Sequence, residues 1–278
     1  SIISLLFSGF IVIFGTGYYN YELDKKLGLD KKEVKTEELV ETAEWLVDEV
    51  NALLNNVAFI NQGSSCNPHS IRETNNILLD SYKKLSNEYD FLPKLTSYVK
   101  PIMLSKPMTY THISGVYTFF TGEANVNTNG PAYTIPYTIA HELAHQRGIA
   151  RENEANFMAF LVCIDSDDPY LRYSAYLNLY EYVANALYSA DPELYAEIFK
   201  TCKRILANVR SVLSYSRGEY DGVYATHCRC IGADELLDLI AKHIVCKLSS
   251  FISLIHSLLD ISGIGANTAN TKETAFLI

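Results

Sequence analysis

Apolar positions change their spacing along the chain, and the changes divide it. Residues 1–21 carry no charged side chain, a length close to what a bilayer-spanning helix needs. From Lys35 the apolar residues Leu39, Val40, Ala43, Leu46, Val47, Val50, Leu53, Leu54 and Val57 recur three and four apart, which predicts an amphipathic helix with Thr36 as N-cap. After a loop at Asn61–Asn67, Ser70 followed by Glu73 has the spacing of a capping box and predicts a second helix to about Tyr89. Between Pro101 and Asn127 the pattern shortens. Ile102–Leu104, Tyr110–Phe120 and Glu123–Asn127 read as β segments broken by Pro107, Gly115 and Gly122.

Helical spacing returns with Ile135, Ile139 and Leu143, with Pro136 in the first turn and Gly148 just past the end. Ala155 and Ala159 suit close packing of a following helix, to which Phe157, Phe160 and Leu161 give core. Asp165–Pro169 and Asp191–Pro192 each read as an acidic cap with proline in the first turn, opening helices to Tyr188 and to about Ser214. The expected fold is mainly α with a small β-sheet (α+β). The expected domains are a membrane anchor over 1–21, a helical scaffold over 22–99, a core over 100–215, and a C-terminal helix and tail over 216–278.

Composition narrows the partners. With 32 acidic against 23 basic residues and a net charge of −9, the chain offers no default surface for nucleic acid. Tyr18, Tyr19 and Tyr21 follow the charge-free run where an aromatic belt would lie, with Lys25, Lys26, Lys31 and Lys32 beyond. That run is therefore expected to be the end of a transmembrane segment, with more sequence upstream. Its small residues Ser4, Ser8, Gly9, Gly15 and Gly17 also fit the end of a signal peptide.

The densest chemistry is His141-Glu142-Leu143-Ala144-His145, on the stripe set by Ile139 and Leu143. Residues four apart on a helix lie over one another, so both imidazoles can face one ion while Glu142 stands to the side. Zinc with three protein ligands keeps a position for water, and a carboxylate beside it serves as general base. The chemistry expected is hydrolysis of a peptide or protein substrate. Gly148 can adopt a left-handed conformation that returns the next helix over the imidazoles. Glu154 is taken as the third ligand. Glu152, two residues away and so on another face, is the alternative, and either could simply complement the helix dipole.

The runs HELAHQRG (141–148), ENEANF (152–157), FTGEANVN (120–127) and RYSAYL (172–177) resemble an uncharacterised bacterial family of membrane-anchored, zinc-peptidase-like proteins known only as a domain of unknown function. More distantly, the motif helix followed by a glutamate-led helix is similar to the gluzincin metallopeptidases. The resemblance implies a zincin-like core, with His141, His145 and Glu154 as zinc ligands and Glu142 as general base. It covers roughly residues 1–215.

Lesser candidates complete the inventory. Tyr173 is a candidate oxyanion donor, with packing beneath the site as the alternative. An edge over Thr118–Asn127 could hold an extended substrate, with Glu123 and Asn125 contacting its backbone or merely capping a turn. Cys66 with His69, and Cys228, Cys230, His227, His243 and Cys246, lack the paired spacing of metal sites. The rival reading of the whole is a catalytically idle, zinc-stabilised membrane module that binds a peptide or protein partner.

Overall fold

The computed structural model describes residues 20–29, 34–59 and 65–199, together with a few positions between 4 and 15. The expectations for the C-terminal helix, the Ser214 helix end and the cysteines beyond 200 lie outside the described residues. The described chain is mainly helical with a three-stranded sheet, α+β in class. No helix among the described residues is long and apolar enough to cross a membrane.

A short helix, α1 (Leu23–Leu27), is followed by α2 (Thr36–Leu53), which buries Leu39, Ala43, Leu46, Val47, Val50 and Leu53. Thr36 is its first residue rather than its cap. The backbone N–H of Lys35 is taken instead by the Glu38 carboxylate. The Ser70–Glu73 capping box is present, each side chain accepting from the other's backbone N–H, and opens α3 (Ile71–Glu88).

The β region is smaller than the sequence pattern suggests. Strands β1 (Lys100–Pro101), β2 (Gly115–Thr118) and β3 (Glu123–Val126) form the sheet in the order β1-β3-β2, parallel on one side of β3 and antiparallel on the other. Ile102–Leu104, Tyr110–Ser114 and Phe119–Phe120 lie outside it. Between β1 and β2 the chain makes a helical turn, α4 (Ser105–Met108), since Pro107 falls early enough in the turn to need no hydrogen bond.

The centre of the fold is α5 (Thr134–Gln146), α6 (Glu152–Ile164) and α7 (Pro169–Ala190), followed by α8 (Pro192–Phe199). Ile139 and Leu143 of α5, and Ala155, Phe157 and Ala159 of α6, are fully buried. Alanine at 155 and 159 lets the α6 backbone lie close to α5, as its spacing predicts. Asp168 caps α7 by accepting from the N–H groups of Tyr170 and Leu171, and its other oxygen pairs with His69 Nε2 at 2.6 Å. His69 is thus tied to the α7 cap, and Cys66 is exposed.

Candidate metal centre

Helix α5 is held by its surroundings at both levels of the histidine pair. The Tyr82 hydroxyl donates to the carbonyl of Ala140 at 2.7 Å, which disturbs the helix ladder least where an acceptor lone pair is spare. Arg147 lies over the Tyr82 ring, 3.8 Å from its centroid, and returns a bond from Nη1 to the Leu143 carbonyl. The chain then reverses at Gly148, whose φ of 83° is left-handed and suits glycine. Residues 147–151 suffice to bring the first residue of α6 back over α5.

That first residue is Glu152. His141 Nε2 lies 3.2 Å from Glu152 Oε2, and His145 Nε2 lies 3.6 Å from Oε1. The three ligand atoms can lie within 4.8 Å of one another, close enough to share one ion. His145 Nδ1 lies 2.7 Å from the Ile149 carbonyl. A carbonyl only accepts, so Nδ1 carries the hydrogen, and in the neutral ring Nε2 turns a lone pair toward Glu152. Two facing acceptors call for a cation between them, either a proton or a metal. Burial opposes charge on His145, but Glu152, the Ile149 carbonyl and Glu142 outweigh it and raise its pKa. Hydrogen bonds from His141 and His145 hold the Glu152 carboxyl far below the usual carboxylate range.

Glu154, the expected ligand, is turned elsewhere. Its Oε1 accepts from Arg151 Nη1 at 2.9 Å and from the backbone N–H of Leu23 at 3.1 Å. The cause is helix geometry: residues two apart point about 200° apart around the axis, so only one of the two glutamates can face α5. The structure brings Glu152, the alternative, to the histidines and gives Glu154 to Arg151 and α1.

Glu142 is 4% exposed and leans against β2, where a Cβ on Gly115 would stand 2.4 Å from its Oε1. Its Oε2 has no hydrogen-bond partner. Burial, opposed by His145 and reinforced by Glu152, pushes its carboxyl up to about 7. Tyr117, two residues along β2, stacks on the His145 ring at 6.2 Å between centroids. Neither Gly115 nor Tyr117 was marked by its pattern in the sequence as belonging to the site.

The sheet also shows where a chain could add. β3 is the middle strand, paired by β2 along Glu123–Val126 and by β1 at Asn125–Val126, and Glu123 forms an ion pair with Lys100. The longer of the two outer strands is β2. Asn127 N–H bonds the Ser114 carbonyl, and the alternation of antiparallel pairing then directs the peptide groups of Gly115 and Tyr117 away from β3. The residues flanking Glu142 and His145 thus carry the outward-facing backbone groups.

Tyr173 is fully buried, edge-on to Phe59 and beside Tyr170. The α7 tyrosine on the Glu152 side is Tyr182. Its hydroxyl accepts from Asn156 Nδ2 at 3.0 Å, and Asn156 is one turn beyond Glu152 on α6. Burial, Glu181 and Glu152 together raise the Tyr182 pKa, keeping it protonated. The signal for Tyr182 lay in no motif, only in the register of α7 against α6.

No curated protein and no solved structure matches the chain. A family model described as a protein of unknown function (DUF3810) matches residues 1–227, which include every residue of the His141–Glu152 group. With most of its length matched in this way, the chain belongs to the DUF3810 family of proteins of unknown function.

Proposed function

We propose that the chain is a zinc-dependent metallopeptidase with a zincin-like core, tethered to a membrane by residues 1–21. His141, His145 and Glu152 would hold the ion, a two-imidazole, one-carboxylate set suited to zinc. Bound there, zinc supplies a Lewis acid for the scissile carbonyl and brings the pKa of a bound water near 7.

The chain's own residues do the rest. Glu142 takes the water's proton at Oε2, the oxygen that has no other hydrogen-bond partner, and delivers it to the leaving amine. The peptide groups of Gly115 and Tyr117 receive an extended substrate backbone as an added strand. The Tyr182 hydroxyl, held by Asn156, donates to the oxyanion that develops on the carbonyl. The single observation carrying this reading is the convergence of two Nε2 atoms and a Glu152 carboxylate beside the partnerless Oε2 of Glu142.

Near-complete burial of Glu142 favours one rival, a zinc-stabilised module that binds a partner without cleaving it. The test is a peptide-library cleavage assay with metal analysis on wild type and Glu142→Gln. The peptidase reading expects turnover only in the wild type and one zinc in both. Zinc in both with turnover in neither establishes the binding module, and a wild type without zinc overturns both readings.

A further inference from the structure

The large apolar side chains that remain exposed are confined to two parts of the described chain. One is the N-terminal segment, where Leu5, Phe7, Ile11 and Val12 are each more than half exposed. The other is 95–120, with Leu95, Tyr98, Met103, Leu104, Tyr110, Ile113, Val116 and, at the β2–β3 turn, Phe120 at 63%. Where such exposed apolar groups also adjoin in space, they mark an interaction surface.

Part of the second set lies at the same end of the domain as α1. The Glu154 carboxylate holds the Leu23 N–H, Arg151 Nη1 lies 3.8 Å from Glu22, and Lys26 lies over the Phe91 ring at 5.4 Å. Phe91 begins the stretch that carries Leu95. Ser97 in turn donates to Gln146 Oε1, and Gln146 Nε2 bonds the Gly122 carbonyl in the β2–β3 turn at 2.8 Å. The end of the charge-free run, Leu95 and the Phe119–Phe120 tip are therefore joined around the end of α5, next to His145. Met103 lies past the opposite end of the sheet, because Pro101 pairs with Val126, and β3 separates the two ends by about 13 Å.

We infer that the Phe119–Phe120 tip rests in the lipid interface beside the N-terminal segment, making this end of the domain a membrane-contact face. The proposal rests on the membrane tether in the function above, and not on peptidase activity. The occupant is a bilayer because a stretch of 21 residues without a single charge ends, at Tyr21, beside the Glu22 and Leu23 contacts of this face, and Lys25, Lys26 and Lys94 near it suit anionic headgroups. Chain geometry keeps Tyr21 within about 25 Å of the Glu152 carboxylate. The substrate class that follows is a polypeptide segment close to the membrane surface.

The experiment uses the full chain in vesicles of phosphatidylcholine and phosphatidylglycerol with brominated acyl chains. Phe120→Trp and Met103→Trp each add an indole at an exposed site. Trp45, the chain's single tryptophan, packs against Tyr176 and serves as internal reference. The added emission of Phe120→Trp should fall about twofold relative to unbrominated lipid, and that of Met103→Trp should not change. Quenching absent at Phe120→Trp, or as strong at Met103→Trp, overturns the proposed face while leaving the tether intact. Failure of the protein to float with the vesicles overturns the tether and the face together, and neither result bears on turnover.

Discussion

The carboxylate of Glu142 lies directly on the backbone of Gly115, where any β-carbon would come within 2.4 Å of Oε1. Strand and helix meet there without a side chain between them. Gly115→Ala should push Glu142 out of place and lower kcat/KM about 100-fold, the order expected of a displacement near 1 Å. Zinc content should stay at the wild-type level. Loss of zinc instead would show that the strand supports the ligands and not the base.

The two glutamates of α6 differ in what they face, Glu152 the two histidines and Glu154 Arg151 and Leu23. Glu152→Ala should lose zinc on dialysis and lose the metal-dependent part of the melting temperature, since ligand binding stabilises the folded state by mass action. Glu154→Ala should keep its zinc. It should lose about 1–2 kcal/mol from the bonds to Leu23 and Arg151, read in urea unfolding. Metal loss from Glu154→Ala with retention in Glu152→Ala would reverse the assignment.

Tyr182 and Tyr173 are both on α7 but differ in what they touch. Tyr182→Phe should reduce kcat roughly 100-fold with KM and zinc little changed, the effect of removing one oxyanion donor. Tyr173→Phe leaves a buried ring in its packing and should keep near-normal kcat. The comparison of kcat for the two variants decides between them.

Glu181 accepts from the Tyr133 hydroxyl at 3.3 Å, and burial pushes its carboxyl up to about 7 from an ordinary 4.5. Between those values the folded chain holds a proton that the unfolded chain releases. Its contribution to stability therefore falls as pH rises through that window, by on the order of 3 kcal/mol, and is constant below it. The difference in unfolding free energy between Glu181→Gln and wild type should grow in the variant's favour from pH 4.5 to 7 and then level. A flat difference would place Glu181 in contact with water.

The helices were legible because their signals are local. Ser70 with Glu73, Asp168 with Pro169, and the Ile139–Leu143 stripe each declare an end or a face within a few residues. The histidine pair was legible for the same reason. Choosing between Glu152 and Glu154 was not, because that depends on the rotation of α6 about its axis, which is set by Ala155 and Ala159 against α5 and by the pull of Leu23 and Arg151 on Glu154. The sheet was overread at Ile102–Leu104, where apolar residues in sequence form an exposed connection instead of a strand. Gly115, Tyr117 and Tyr182 join the site only through tertiary contacts.

The reversal at Gly148 means that all three candidate ligands come from one short stretch, His141 to Glu152. Cross-linking so brief a loop removes little chain entropy, so a cation there contributes mostly by its own coordination. The hairpin of α5 and α6 can therefore form its ligand set early in folding, before the sheet or α7 has docked. A metal bound at that stage would act as a template on which β2 is later laid.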